Sequence, residues 1–329
     1  MTALGPARID QLLDQVRSVR VLVVGDLMLD RYISGSVDRV SPEAPVPVVR
    51  VEAERYAVGG ASNVAANVIS MGGSCAVVGM VGRDADGRAL LEVLASRGAN
   101  CEGVLVSEGR PTTVKTRVLA QHQQVVRFDR EVDSVAAPQV ADELADRVRV
   151  ASRECDVIVV QDYDKGVLAA EVVAAVRDAA RERRVAWVVD PKRRSFFAYG
   201  GATVFKPNAR ELSDALGEPV HPDDGPWMEA TRARLDCEHL LLTLGDRGMA
   251  LQSAGVPLVR CGAVAREVYD VSGAGDTVTA AVALTLAAGA SMVEATAFAN
   301  DAAAVEVGKS GVQTVSPDEI REHAARDRA

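Results

Sequence analysis

The sequence predicts an α/β protein: a doubly wound, mostly parallel sheet with helices on both faces and a small β-strand lid, in one domain over residues 1–329. Two observations carry that prediction. Short apolar runs ending in Gly or Asp recur along the chain, and stretches rich in Ala, Arg and Glu separate them. Strands alternating with helices in this way build a parallel sheet covered on both sides. Two further segments break the alternation and supply the lid. No internal repeat or low-complexity linker divides the chain, so one domain with a lid is expected rather than two domains.

The opening "MTALGPARIDQLLDQVRSV" spaces Ile9, Leu12, Leu13, Val16 and Val19 along one helical face with acids between them. That is an amphipathic helix and not a signal peptide. "VRVLVVGDLMLD" (19–30) is a buried-strand run that stops at Gly25-Asp26. Residues 31–58, with prolines and valines in "SPEAPVPVV", cannot be helical and are expected as extended edge strands. A helix then begins at the Gly59-Gly60 turn. "CAVVGMVGRDADG" repeats the strand pattern, and a helix is expected over 84–97. Residues 103–131 alternate with period two on both sides of "AQHQQ" and read as a hairpin that joins 31–58 in the lid. Beyond it, helices over 138–152, 169–183 and 208–216 alternate with the strand runs of "CDVIVVQDYDKG", "VAWVVDPK", "ATVFKPNARE" and "HLLLTLGDRG". The stretch from Asp276 to Gly289 is apolar nearly all round and built from Ala, Val and Thr, so a narrow, buried helix is expected.

Composition narrows the function. A content of 48% hydrophobic and 25% charged residues is that of a soluble globular protein. A net charge of −9 argues against a nucleic-acid or anionic-membrane partner held by bulk charge. No apolar run approaches the ~18 residues of a membrane span, so the protein is expected in the cytoplasm. The five cysteines are odd in number and form no C-x-x-C pair, which gives neither a disulfide framework nor a zinc site. Histidines 122, 221, 239 and 323 are scattered, and only His122, in the lid, could reach a substrate.

A doubly wound sheet gathers its ligand groups at the carboxyl ends of its strands. Asp26, Asp162, Asp190, Asn208 and Gly245 fall at such ends. The sharpest motif is "DVSGAGDT" (270–277). Gly273 and Gly275 let an anion approach the amides of Gly273, Ala274 and Gly275 at a helix start, where free N–H groups and the helix dipole favour it. Asp276 beside that site fits a general base that deprotonates an attacking hydroxyl; the alternative is a helix N-cap. In "VGGASNVAANVISMGG", Asn63 and Asn67 stand four apart on one helical face, where amides suit sugar hydroxyls, or where one caps and the other packs. "KPNARE" sets Asn208 and Glu211 at a helix start, able to hold a Mg²⁺ hydration shell near phosphates or to form a capping box.

Basic side chains for a phosphorylated substrate are available in Lys115 and Arg117, on one face of a lid strand, and in Lys165 of "DYDKG". The alternative is a charged strand that resists edge-to-edge pairing. "EVGKSG" (306–311) is not a P-loop, because Ala303 stands where its first glycine should be and a helix precedes it. "VVGDLMLD" lacks the glycines of a dinucleotide site, which excludes hydride transfer with a nicotinamide.

Together "GGASNVAAN" and "DVSGAGDT" resemble the two motifs of the ribokinase, or phosphofructokinase-B, superfamily of sugar kinases. "GDLMLDRY", "RVSPEAPVPVV", "DYDKG", "VDPK", "KPNARE" and "VGKSGVQTVS" are similar to its heptose-7-phosphate kinase branch, over residues 20–318. The resemblance implies a ribokinase-like fold. It also implies transfer of the ATP γ-phosphoryl group to the anomeric hydroxyl of D-glycero-β-D-manno-heptose 7-phosphate, toward ADP-heptose and lipopolysaccharide. Asp276 would be the base and Gly273, Ala274 and Gly275 the anion hole. Asp26, Gly59, Gly60, Asn63 and Asn67 fall on sugar-binding positions. Asn208 and Glu211 match an N-x-x-E associated with Mg²⁺, and Lys192, Thr243 and Gly245 lie at the nucleotide site. ATP and Mg²⁺ are the implied cofactors, with room for a monovalent cation, and a homodimer through the lid is implied. Asp164 and Ser272 depart from the usual Gly and Thr; the former puts a negative charge near a phosphorylated substrate. The nucleotidyl-transfer domain that many relatives carry is not expected before Ala329, so that step is expected from another protein. Two rival readings share many of these residues: a kinase of another sugar phosphate, and a sugar or nucleotide sensor without turnover. The sensor has no need of Asp276.

Overall fold

The computed structural model describes residues 4–120, 123–265 and 268–327. Its main sheet has nine strands: β1 (Arg20–Gly25), β4 (Ser74–Gly82), β5 (Val104–Ser107), β8 (Val157–Gln161), β9 (Ala186–Asp190), β10 (Val204–Phe205), β11 (His239–Thr243), β12 (Met249–Ser253) and β13 (Val259–Cys261). They lie in the order β13-β12-β11-β10-β9-β8-β1-β4-β5. All pairs are parallel except β11–β12 and β12–β13. From β1 the chain builds outward through β4 and β5, then returns to lay β8 on the other side of β1. That reversal is where such a sheet opens a crevice.

The period-two alternation of the strands divides the core into two layers. Val21 and Val23 of β1 point into one layer, and Leu22 and Val24 into the other. The first layer holds α1 (Pro6–Gln15), α2 (Ala61–Ser70), α3 (Ala85–Ser96), α8 (Ala274–Ala287), α9 (Met292–Val307) and α10 (Pro317–Asp327). The second holds α4 (Pro138–Ala151), α5 (Ala170–Arg183), α6 (Ala209–Leu216) and α7 (Gly225–Arg234). Leu22 is fully buried between them, and its truncation to alanine would cost about 2–5 kcal/mol. In α8, Ala280, Ala281 and Ala283 keep the helix thin, and two of its buried threonines satisfy themselves on the preceding turn: Thr279 Oγ1 donates to Gly275 O at 2.9 Å and Thr285 Oγ1 to Ala281 O at 2.7 Å.

The second sheet is the lid. It runs β3 (Pro47–Gly60), β2 (Leu27–Val40), β6 (Thr113–Ala120), β7 (Gln123–Arg130), with β2 parallel to β6 and the other pairs antiparallel. Two expectations need correction. Residues 103–131 are not all lid: Val104–Ser107 is the outer strand of the main sheet, because Val104 and Leu105 are buried against β4. Nor is 31–58 a pair of edge strands, since β2 lies inside the lid between β3 and β6. The turn of the β6–β7 hairpin, with His122, falls outside the described residues. Gly308 closes α9 in a right-handed conformation (φ −77°).

The cysteines are free, four of them buried and Cys101 half-buried. Among the described residues no helix is long and apolar enough to cross a membrane.

Candidate active site

Asp276 sits in the first turn of α8, after the N-cap Gly273, whose φ of +99° suits a residue without a side chain. Asp276 is not the cap. Its carboxylate is buried and turned inward, where three side chains donate to it: Asn63 Nδ2 to Oδ2 at 2.8 Å, Tyr163 Oη to Oδ1 at 2.9 Å and Gln161 Nε2 to Oδ1 at 3.1 Å. Oδ1 is thus doubly engaged, and Oδ2 carries one donor. Burial pushes the Asp276 carboxyl up to about 6; the Asn63 hydrogen bond opposes this and the charge of Asp190 adds to it. A carboxyl so placed is ionised at neutral pH and still more basic than an exposed aspartate.

Behind the base runs a polar chain. Gln161 Nε2 also donates to Asp190 Oδ2 at 2.9 Å, and the buried Lys206 ammonium lies 3.0 Å from the same oxygen. Asp276, Asp190 and Lys206, with Tyr163, Lys192, Asn208, Glu211, Thr243, Gly273 and Gly275, line a cavity of about 100 Å³. It adjoins a second hollow of about 360 Å³, mostly apolar, between Gly245, Met249, Ala263, Val278, Ala303 and Val307. Asn208, Thr243 and Gly275 border both. An apolar chamber leading to a polar neck that carries Lys192 and Lys206 at a helix start fits a nucleoside with its phosphates. The largest hollow, about 890 Å³, opens at the opposite, amino-terminal ends of the strands, around Arg20, Ser74 and Asn100, away from these acids.

The other expected residues are placed as follows. Asp26 is buried and borders a hollow of only about 10 Å³: its carboxylate accepts the backbone N–H groups of Tyr163 (2.8 Å), Lys165 (3.0 Å) and Val167 (3.1 Å) and so shapes the "DYDKG" loop. Asn67 is likewise a correction. It is fully buried and bonds to Asn63 and to Thr277 Oγ1, so it braces the base's amide partner rather than presenting itself to a ligand. Gly59 and Gly60 are required by close approach: a Cβ on Gly59 would stand 2.5 Å from Asp30 Oδ2, and one on Gly60 2.6 Å from Asp26 O.

Asn208 and Glu211 form the capping box of α6, with Glu211 Nα on Asn208 Oδ1 at 2.8 Å and Asn208 Nα on Glu211 Oε2 at 2.9 Å. The other Glu211 oxygen pairs with Lys192. Burial opposes the Lys192 charge, yet Asp190 and Glu211 hold its ammonium above the usual lysine range. Thr243 and Gly245 stand at the mouth of the larger hollow.

Of the three basic residues expected at a substrate phosphate, two are already paired. Arg117 forms an ion pair with Asp30, and Lys165 with Glu131 at 2.9 Å. Lys115 has no carboxylate at ion-pair distance among the described residues; its ammonium lies 5.2 Å from the centre of the Tyr163 ring. Burial lowers its pKa, against the pull of Asp30.

Gln161, Tyr163, Lys206 and Asp30 are the members that motif reading passed over. The signals were present in "VVQDYDKG", "FKPN" and "GDLMLD", polar residues ending apolar runs. Asp164 takes a left-handed conformation (φ +56°) and its Oδ1 accepts the Arg194 N–H at 3.2 Å, so its charge is engaged in the loop.

A family model described as pfkB family carbohydrate kinase matches residues 19–319. The bifunctional protein HldE of Pelobacter propionicus is 42% identical over 314 residues, 95% of this chain and 64% of that protein. HldE of Gluconacetobacter diazotrophicus is 44% identical over 307 residues, 92% of this chain and 63% of that one. The chain spans just under two thirds of the length of these relatives. Among solved structures, phosphofructokinase-2 from Escherichia coli in complex with substrates and products superposes with a TM-score of 0.78 at 20% identity, over 95% of this chain and 100% of that one. Ribokinase from Arabidopsis thaliana complexed with ribose and ATP gives 0.69 at 22%, over 94% and 98%. These two likenesses are of fold.

Proposed function

The chain belongs to the pfkB family of carbohydrate kinases, and on that premise we propose that it phosphorylates the anomeric hydroxyl of D-glycero-β-D-manno-heptose 7-phosphate with ATP. Its fold is ribokinase-like, and it is a phosphotransferase with an alcohol acceptor. The heptose substrate is supported by the HldE relatives at 42–44% identity. One observation carries the chemistry: a buried carboxylate in the first turn of α8, raised to about 6, that lines the small cavity with one donor on its Oδ2, beside the N–H groups of Gly273 and Gly275.

The proposed sequence is short. The sugar hydroxyl donates to Asp276 Oδ2 and its oxygen attacks the γ-phosphorus. The new P–O bond forms as the bond to ADP breaks, and the proton passes to Asp276. The amides of the Gly273–Gly275 turn receive the transferred group, and Lys206 offsets its charge from beneath. Asn63, Gln161 and Tyr163 hold the carboxylate in line. The adenosine of ATP would occupy the apolar hollow beside Thr243 and Gly245.

Ribokinase-like kinases use a divalent metal ion with ATP. The donor set here fits Mg²⁺, which binds through one or two carboxylates, phosphates and retained water: Glu211 and Asp190 line the neck. When bound, the ion would neutralise charge on the β- and γ-phosphates. Exposed Val51, Val126 and Phe128 on the lid support a homodimer through it, testable by sedimentation.

The test is a panel of sugar phosphates with ATP, following ADP release and locating the new phosphate by phosphorus NMR. Heptose 7-phosphate should turn over best and gain its phosphate at C1. Preference for a fructose phosphate would replace this reading with its sugar-phosphate rival.

A further inference from the structure

Glu306 lies in α9, directly behind the anion-binding turn, and none of the roles assigned so far uses it. Its side chain is 0% exposed, and neither carboxyl oxygen has a hydrogen-bond partner. A Cβ on Gly273 would stand 3.1 Å from Glu306 Oε1 and 3.1 Å from Asn63 Nδ2. The turn is thus held between the amide that orients the base and this carboxyl group. An unpaired carboxylate in such surroundings is strongly disfavoured, so the group keeps its proton. Burial pushes Glu306 up to about 8, and the charges of Asp270 and Asp276 add to the push.

The opposing groups are few. Lys309 faces it from the end of α9, but its ammonium is held by Glu319 at 2.6 Å and by Thr314 O at 2.8 Å. The Gln313 N–H pulls the other way without reaching either oxygen at hydrogen-bond distance. From the lid, Arg55 reaches the Gly311 turn while stacked on the Tyr32 ring.

We propose that Glu306 is a positioning residue of the phosphoryl-transfer site: it works as a neutral acid behind Gly273, and its ionisation turns the anion-binding turn off. Loss of its proton to solvent puts a full negative charge behind the N–H groups that must face a phosphoryl oxygen, which cancels their attraction. This inference rests on the reading that the Gly273–Gly275 turn receives the γ-phosphoryl group.

Two measurements test it, and one needs no sugar. The affinity for Mg²⁺ with a non-hydrolysable ATP analogue is followed against pH by calorimetry, with ADP as the control that lacks the γ-phosphate. In the wild type the analogue should lose affinity above about pH 8 while ADP holds. In Glu306→Gln and in Glu306→Met, both neutral and similar in size, that loss should vanish. Turnover with a sugar phosphate should follow suit, the variants gaining roughly tenfold on the wild type one pH unit above its titration. Thermal melting verifies that each variant is folded. An alkaline loss that persists in either folded variant overturns the proposal. So does a folded variant inactive at every pH, since the carboxyl itself would then be needed. Failure of every sugar phosphate to react would count against the proposed function while the calorimetric arm still decides about Glu306.

Discussion

The Tyr163 hydroxyl donates to Asp276 Oδ1 at 2.9 Å, and the ring that carries it lies within 5.2 Å of the Lys115 ammonium and 5.1 Å of that of Lys192. One phenol therefore touches both the base and two cations. Its hydrogen bond favours the ionised form of Asp276. Tyr163→Phe removes that support, so Asp276 should hold its proton to higher pH. The acid limb of kcat/KM, expected near pH 6, should move upward by up to about one unit. A limb that stays in place would mean that Asp276 is not the group titrating there.

Asp276→Asn keeps the shape of the side chain and removes its basicity. Turnover should fall roughly 10²–10⁴-fold, the contribution of a positioned base. Nucleotide affinity, measured by calorimetry, should hardly change. Near-normal turnover would remove Asp276 from the chemistry.

A phosphate on the proposed substrate needs a cation, and among the three basic residues offered for it Arg117 and Lys165 are paired with carboxylates, which leaves Lys115. Asp30 stands opposite Lys115 in the β2–β6 register, but its carboxylate goes diagonally to Arg117. Lys115→Met should raise KM for the sugar phosphate strongly, leave KM for ATP nearly unchanged and shrink the preference for phosphorylated over plain sugar. Arg117→Ala should act on stability as well, because it strands the buried Asp30. Equal sugar-phosphate preference in wild type and Lys115→Met would leave Lys115 as a packing residue.

Glu211 joins three things: the capping box of α6, the Lys192 ammonium and the neck beside the apolar hollow. Glu211→Gln should raise the Mg²⁺ concentration needed for half-maximal rate and lower stability by about 1 kcal/mol through the weakened cap. If the metal titration is unchanged and only melting shifts, Glu211 serves the helix alone.

The strands β1, β4, β8, β9, β10 and β11, with α2 and α8, were legible in the sequence because their signals are local: apolar runs stopped by Gly or Asp, and small residues after a glycine turn. Asp276 and its turn were legible for the same reason. The partners of Asp276 were not. Gln161 and Tyr163 lie more than a hundred residues from it along the chain, and nothing in "VVQDY" says which side chain will turn toward α8. Asn67 was misjudged as a ligand contact because helical spacing gives a shared face but not the depth of that face. Lys115 and Arg117 share a strand face as expected. Which of them is left without a carboxylate depends on Asp30, two strand positions away on β2.

The lid strands carry a further consequence. β2 starts at Leu27, two residues past β1, and β3 ends at Gly60, the residue that opens α2. Each is fourteen residues long, or about 48 Å at the usual rise. No slack loop separates this blade from its socket at Asp26, Asp30 and Asn63. Its length gives it leverage: a tilt of about 5° at the root beside Asn63 would sweep the far tip of a strand this long through ~4 Å. Any grip on the outer end, whether from a second subunit or from a closing movement, is thereby geared down into sub-ångström adjustments of the groups that aim the base.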